Sequence, residues 1–490
     1  MRPPCAVRLL RPCSAGDGVV TLTAGQALSA ERLFVRGCRG KRIWKFVPCA
    51  GAASRMFHPL AWSSDEPMEI KAPFPAGGRG GCKEARDLCV FIEHLEDFAF
   101  YEALKEAMES RGLDLEALRS KGLYASIVRC LLRPEGLGYA QLPKALLPYH
   151  RYSGEVRTAL EEHVREAQGY ARGQGDTVAV HFAVSTGHLE AVRRHLDDVN
   201  ARLAPLGVRF ELALSVQSPD TDTIATDLDG NPILDEEGKP VCKPSGHGAL
   251  LANLNALEAD VVFIKTVDNV LPEGLQRVVC FWKRVLGGLF FELEEKVHSA
   301  LRVLSAGHPE PQKLAEIHRF ASSDLSIGFP DGFERLDAWE KTTTLFNKLN
   351  RPLRVCGVVR DEGDQGGAPF WVDNGDGTAS LRLVEGQEVD RTSEEQEGIW
   401  KSASYFNPVD VVCSVRDYRG RTFHLPDYAD ARACFDTMRW HGGRHILIRE
   451  RPGLWNGAMA FWNTVFVEVP RVTVHPVKCI LDLLSWQHVA

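Results

Sequence analysis

An α/β protein with a mixed, mostly parallel sheet, sandwiched by helices and carrying helical insertions, is the fold class predicted by three features of this 490-residue sequence. Short, almost purely apolar runs at 43–47, 178–184 and 261–267 have the composition of strands buried on both faces. Stretches with apolar residues at helical spacing alternate with them, as in repeated βα units. Residues suited to ligand binding follow the runs directly, where open α/β sheets gather ligands beyond the carboxyl ends of their strands.

The elements follow in chain order. The run 43–47 is a buried strand that ends in the small-residue turn of KFVPCAGAASRMF (45–57). Residues 59–81 are rich in Pro and Gly and read as a loop or excursion. Phe91, Ile92, Leu95, Phe98 and Leu104 recur at helical spacing, so a helical insertion runs to about Leu132. LGYAQLPKALLPYH is an irregular, Pro-punctuated stretch around Lys144, and Val156, Leu160, His163, Val164 and Ala167 mark a helix. After strand 178–184, Leu189, Val192, Leu196 and Val199 give another helix, then 208–216 alternates as a strand. Asp229-Gly230 and Glu237-Gly238 signal hairpin excursions. Leu250, Leu251, Leu254 and Leu257 form one face of a helix entered through Gly-His-Gly, and Asp268-Asn269 ends strand 261–267. Segments 290–304 and 333–349 read as helices. Beyond Pro352, RVCGVV, DVVCSVRD and NTVFVEVP read as strands.

Composition excludes several classes of function. The net charge of -7 and pI near 6.2 disfavour a general binder of nucleic acid or anionic membrane, while leaving room for a local basic pocket. The 13 cysteines are odd in number and scattered, without a CxxC pair, which suggests reduced thiols in a cytoplasm rather than a disulfide framework or zinc site. No apolar run reaches the length of a membrane-spanning helix. The first residues, MRPPCAVRLLRPCSAGDG, lack the apolar core of a signal peptide.

The turn after strand 43–47 is the most informative site candidate. A strand that gives way to small residues and then a helix presents backbone N–H groups to an anion. Arg55 stands at its rim, suited to planar, bidentate contact with phosphate. Further candidates at strand ends are Ser185, Gln217 and Asp268.

The order of these features carries a resemblance. The small-residue loop with Ser54-Arg55 is followed by Pro143-Lys144, the strand FAVST, VQSPDTDT with Gln217, PSGHGALLANL with Gly246-His247-Gly248, and Asp268-Asn269. The chain resembles an uncharacterised bacterial family known as a domain of unknown function, and more distantly, over about 46–272, is similar to UDP-sugar pyrophosphorylases. That resemblance implies a nucleotide-diphospho-sugar transferase-like (Rossmann-like) fold and a nucleotidyltransferase that joins an NTP, UTP first, to a sugar 1-phosphate. Its partners would be those two small molecules, without nucleic acid, membrane or protein partner. By the same resemblance Ala50, Gly51, Ala52, Ser54, Gln217, Gly246, His247 and Gly248 would bind nucleotide. Arg55 and Lys144 would serve catalysis, Asp268 would anchor Mg²⁺, and Asn269 would face the acceptor. Residues 1–40 would be an N-terminal extension, 41–275 the nucleotide-binding half, 276–350 a helical insertion, and 351–490 the acceptor-binding half with the C-terminal strands. Asn456 and Asn463 in LWNGAMAFWNTVFVEVP, and Arg360 and Glu362 in GVVRDEGDQGGAPFWV, are candidate acceptor contacts.

Plainer readings stand beside these. Arg55 serves equally as a helix cap or surface ion pair, Lys144 as a solvated loop lysine, and Asp268 as a turn or helix cap. His247 fills a turn, the two asparagines cap turns, and 357–372 is a glycine-rich surface loop. Where pyrophosphorylase loops carry several glycines, this one has Ala50, Gly51 and Ala53, and alanine does not freely reach positive φ. A glycosyltransferase of similar architecture, using Asp220-Thr221-Asp222 to hold a metal, and a non-catalytic nucleotide-sugar sensor are the alternative functions.

Overall fold

The computed structural model describes residues 6–51, 53–60, 83–307, 309–363, 366–441 and 444–489. Most of the Pro- and Gly-rich stretch at 59–81, and Ala52 of the small-residue loop, lie outside them. Nine strands among the described residues form a central sheet: β1 (Ser14–Ala15), β2 (Gly18–Val20), β3 (Ile43–Pro48), β4 (Thr177–Val184), β5 (Arg209–Val216), β6 (Val261–Lys265), β7 (Leu353–Arg360), β8 (Tyr405–Cys413) and β9 (Asn463–Glu468). Their spatial order is β1-β2-β9-β7-β8-β6-β3-β4-β5. Neighbours are parallel except at β8, which runs antiparallel to both β6 and β7.

The strands are apolar because the sheet is covered on both faces. In β3, Ile43 and Val47 point to one core while Trp44 and Phe46 point to the other; in β6, Val261 and Phe263 oppose Val262 and Ile264 in the same way. The first face is covered by α1 (Ala24–Gly37), α2 (Ala159–Ala167), α3 (Leu189–Leu203), α4 (Glu273–Ser305) and α5 (Ala338–Leu349). The second is covered by the helical turns at 247–255 and the chain around 454–462. Four helices, Lys83–Glu93, Tyr101–Glu109, Leu115–Ser120 and Tyr124–Leu132, occupy the region expected to be a helical insertion.

Two elements differ from the sequence expectation for identifiable reasons. The helix expected at 290–304 is the second half of α4, which runs unbroken through Gly287-Gly288. Those glycines cost helix propensity, but a Cβ on Gly288 would stand 1.7 Å from the Ala30 carbonyl oxygen, so they let α1 pack closely on α4. The helix expected from Val156 starts instead at Ala159. Thr158 caps it by accepting from the Glu161 N–H, and Glu155–Thr158 pairs with Pro148–Tyr152 as a hairpin. The N-terminal residues are woven into the sheet, since β2 pairs with β9 and Leu9–Pro12 pairs with Ala368–Asp373.

Lys45 of β3 and Lys265 of β6 are buried on the α2 face, where both donate to the Glu166 carboxylate, at 3.0 and 2.6 Å. Lys283 of α4 pairs with Asp410 of β8. Burial pushes Lys45 down to about 7 against the pull of Glu166. Beside them the buried His163 donates through Nε2 to the Val267 carbonyl at 3.1 Å, tying α2 to the residue before Asp268. This paired network locks β3, β6 and β8 to α2 and α4 beneath the loops at the carboxyl edge of β3 and β6.

Candidate functional site

Three loops converge where β3, β4 and β6 end, and a C-terminal segment, 474–489, joins them. The Arg55 loop follows β3, the Lys144 turn approaches it, and Asp268 follows β6. The Ala53 N–H donates to the Leu142 carbonyl at 2.8 Å, linking the first two. The C-terminal segment then bonds to all three. Its Ile480 N–H donates to the Met56 carbonyl at 2.9 Å, its Val477 N–H to the Asp268 carbonyl at 2.9 Å, and its Val477 carbonyl accepts from Lys144 Nζ at 2.7 Å.

The charges meet on one carboxylate. Lys144 Nζ and Lys478 Nζ both donate to Asp268 Oδ2, at 3.1 and 3.3 Å. Burial works against ionisation of Asp268, but Lys478 and Lys144 outweigh it and hold the carboxyl well below the usual carboxylate range. Asp268 Oδ1 and the Tyr149 hydroxyl are buried without hydrogen-bond partners. Burial raises the Tyr149 phenol, and the charges of Asp268 and Asp482 raise it further, which places the phenol beside the same cluster. Arg55 is exposed and has no hydrogen bond or ion pair among the described residues. Partial desolvation lowers its pKa, Arg439 lowers it further, and Glu450 opposes both. Two cations from distant parts of the chain therefore meet on one carboxylate, and Arg55 adds a third on the adjoining loop, a surplus of positive charge that favours anionic groups.

The neighbouring wall is built on His247. Its ring stacks on Trp455 with centroids 3.9 Å apart, and its Nδ1 accepts from the Leu454 N–H at 2.9 Å. Burial lowers its pKa, against the fields of Glu385 and Glu450, so the ring is a neutral tautomer with the proton on Nε2. Gly246 has φ +81°, and a Cβ there would stand 2.3 Å from Glu450 Oε2; one on Gly248 would stand 2.1 Å from the Pro452 carbonyl oxygen. The two glycines thus allow the turn to close on the 450–455 segment. Gln217 follows β5 and keeps a buried Nε2 without an acceptor.

Several sequence-flagged residues have other surroundings. Gly51 and Ser54 are exposed and Ala50 is half-buried. Among the described loop residues none has positive φ, so alanine meets no backbone strain there. Asn269 is buried, donates to the Pro408 carbonyl at 3.2 Å and has an unpartnered Oδ1. Arg360 ends β7 and Glu362 follows it on the same edge, paired with Glu468 and Arg471 respectively. Asn456 is buried and donates to Glu388 Oε2 at 2.7 Å. Asn463 stands apart from this edge: it starts β9, opposite Leu353 at the start of β7, and both strands run away from it toward the carboxyl edge. The carbonyls of Asp220 and Thr221 accept from Arg451. Lys478 and Tyr149 escaped sequence reasoning, because neither follows a predicted strand or sits in a recognisable pattern.

The far end of the C-terminal segment is held by histidines. His150 Nδ1 bonds Glu162 Oε1 at 3.0 Å, His150 Nε2 bonds His488 Nδ1 at 2.9 Å, and His488 Nε2 bonds the His475 carbonyl at 3.1 Å. Glu162 also accepts from the Tyr152 hydroxyl at 2.6 Å. The two rings thus bridge a carboxylate on α2 to a carbonyl of the C-terminal segment. Burial, with His150 and His475 adding to it, pushes His488 down to about 3.

Among the described residues no group of three or more His, Cys, Asp or Glu side chains could hold a metal ion, and no helix is long and apolar enough to cross a membrane. The chain belongs to the family described as a domain of unknown function, DUF4301, whose pattern matches residues 3–489. No curated protein matches it. Solved structures similar to it include the uridine diphosphate N-acetylglucosamine pyrophosphorylase of Trypanosoma brucei, in complex with an inhibitor, at 11% identity and a TM-score of 0.47, covering 97% of this chain and 72% of that one. A putative UDP-N-acetylglucosamine pyrophosphorylase of Entamoeba histolytica is 10% identical with a TM-score of 0.46, covering 98% and 85%. A mutant UDP-glucose pyrophosphorylase of Leishmania major, in complex with UDP-glucose, is 13% identical with a TM-score of 0.41, covering 98% and 70%.

Proposed function

We propose that this DUF4301 protein is a metal-dependent nucleotidyltransferase that joins a nucleoside triphosphate to a sugar 1-phosphate and releases pyrophosphate. The observation that carries the reading is the meeting of Lys144 and Lys478 on Asp268 at the carboxyl edge of a mostly parallel sheet, with the exposed Arg55 on the adjoining loop. The order of motifs in the sequence supports UTP as the first substrate to test.

In the proposed reaction an oxygen of the sugar phosphate forms a bond to the α-phosphorus, and the bond from that phosphorus to the bridging oxygen breaks. The electron pair leaves with pyrophosphate, so the chain need supply neither a nucleophile nor an oxidant. Its task is to hold two anions together and to stabilise the charge that builds on the transferring and departing groups. Arg55 would hold the β- and γ-phosphates through its planar guanidinium. Lys144 and Lys478 would turn from Asp268 toward the α-phosphate and the acceptor phosphate. Gln217, with its spare N–H, would donate to a carbonyl of the base.

The residues fit a magnesium ion carried in on the triphosphate. Asp268 Oδ1 is a free carboxylate oxygen, and Asn269 Oδ1 next to it in sequence is also without a partner. Mg²⁺ commonly takes one or two protein oxygens and fills its shell with phosphate and water. Bound there it would neutralise phosphate charge.

The test is pyrophosphate release with Mg²⁺, each of the four nucleoside triphosphates and a panel of sugar 1-phosphates. Release that needs one triphosphate and one acceptor together is expected. Hydrolysis or tight binding of nucleotide sugars, with no release across the panel, would overturn the proposal in favour of the glycosyltransferase or sensor.

A further inference from the structure

At the opposite edge of the sheet, where β7 and β9 begin, lies a cavity of about 130 Å³. Its wall includes Lys348 and Arg351 from the end of α5, Trp462 and Asn463 from the entry to β9, and Ser380 and Asp376 from the hairpin that follows Ala368–Asp373. The strand lengths put it roughly 20 Å from the carboxyl edge, and it shares no residue with the cluster around Asp268.

The cations here are not neutralised. Neither Lys348 nor Arg351 has a carboxylate within ion-pair distance among the described residues. Lys348 Nζ reaches the Thr378 hydroxyl at 3.4 Å, and Arg351 Nε donates to the Asn347 carbonyl at 3.2 Å. Burial lowers both pKa values; Asp376 opposes this for each, and Arg351 lowers Lys348 further. Asp376 is a weak counter-charge, since it is exposed and its Oδ1 is taken by the Thr378 N–H and hydroxyl, at 2.9 and 2.6 Å. A helix end accounts for one solvated lysine in the last turn of α5. It does not account for two cations drawn together into a half-buried cavity.

An independent observation points the same way. The Trp462 side chain, 4% exposed, forms part of the wall, and its indole N–H is buried with no acceptor. That group can only donate, and burying a donor without a partner is costly. The cavity therefore carries surplus positive charge, and one of its wall residues holds a spare donor. It has the volume of about four waters, enough for one tetrahedral oxyanion.

We propose that the cavity between the end of α5 and the start of β9 is a second anion site that binds a phosphate-sized oxyanion, either free or as the phosphoryl end of a small metabolite, through Lys348 and Arg351, with Trp462 in its wall. Asn463, flagged in the sequence as a candidate acceptor contact, belongs to this wall. The site stands independently of the reaction proposed above.

The experiment uses the full chain with ¹⁵N-labelled tryptophan. The ten tryptophans give one indole N–H resonance each, and Trp462→Phe identifies that of Trp462. Titration with inorganic phosphate at constant ionic strength, balanced with chloride, should shift the Trp462 resonance saturably. Sulfate should do the same, and glycerol 3-phosphate tests the monoester. Lys348→Gln and Arg351→Gln, each on a half-buried side chain, should weaken the response at least about tenfold. The response should persist in Arg55→Ala, which removes a cation from the other site. A Trp462 resonance that does not move, moves equally with chloride, or keeps its phosphate response in both the Lys348 and Arg351 variants overturns the proposal.

Discussion

Replacing Asp268 by asparagine removes the charge on which Lys144 and Lys478 converge and keeps the shape of the side chain. Two ammonium groups about 3 Å from one oxygen each interact with it by up to about 5 kcal/mol at an effective dielectric near 20, before desolvation and relaxation are subtracted. Measured pairs of this type yield less, and removing one partner of a buried pair typically costs about 3 kcal/mol or more. In metal-free buffer the variant should therefore be less stable, and its freed lysines should bind pyrophosphate tighter than wild type does. A gain of about 1–3 kcal/mol corresponds to roughly tenfold to a hundredfold in Kd. Added pyrophosphate should also restore more of the lost thermal stability than it adds to wild type. With Mg²⁺ present the comparison should reverse, because the carboxylate oxygen proposed to hold the ion is gone, and turnover should fall. Isothermal titration of pyrophosphate, with EDTA and then with Mg²⁺, reads both effects. Pyrophosphate bound no tighter in EDTA would refute the claim that the lysines are poised for phosphate. An unchanged Mg²⁺ dependence would refute the role given to Asp268.

Three further outcomes follow from the same geometry. Arg55→Ala and Lys478→Ala alter side chains that are exposed or half-exposed, so each should lower pyrophosphate release by at least about a hundredfold. The unfolding free energy should stay within about 0.5 kcal/mol of wild type for Arg55→Ala, while Lys478→Ala, which takes one of two ammonium partners from the buried Asp268, should cost about 1 kcal/mol or more; retained turnover in either would unseat it from the site. Glu388 is buried, and burial raises its carboxyl from 4.5 to about 8. Its folded pKa lies above the unfolded one, so the stability present below the unfolded value is lost as pH rises toward 8. At pH 7 that loss is about 3 kcal/mol. Glu388→Gln should therefore raise Tm at neutral pH and flatten its fall between about pH 5 and pH 8, which thermal melts across that range will show. His488→Ala removes the anchor at the end of the segment that delivers Lys478. Turnover should drop roughly tenfold or more through misplacement, while circular dichroism shows the fold retained.

How much of this was legible in the sequence differs from element to element. The strands at 43–47, 178–184, 208–216 and 261–267 could be read because a sheet covered on both faces needs apolar runs, and such runs are local. Arg55 and Asp268 could be singled out because strand ends in an α/β sheet are privileged positions, and that too follows from local reading. Lys478 could not: it reaches Asp268 from 210 residues further along the chain, on a segment whose place depends on hydrogen bonds to Met56, Asp268 and Lys144. The continuity of α4 through Gly287-Gly288 was hidden because the reason for those glycines is the backbone of α1, far away in sequence. Asn463 looked like a neighbour of the site, yet the direction of β9 sets it at the other edge. Burial, periodicity and turn chemistry are recorded residue by residue, so the sequence by itself determined the α/β class, the main strands and the positions just beyond them. Which charged side chains share a carboxylate, which cations are left without one, and which edge of the sheet each faces depend on contacts between segments hundreds of residues apart. Those were decided only when the chain closed on itself.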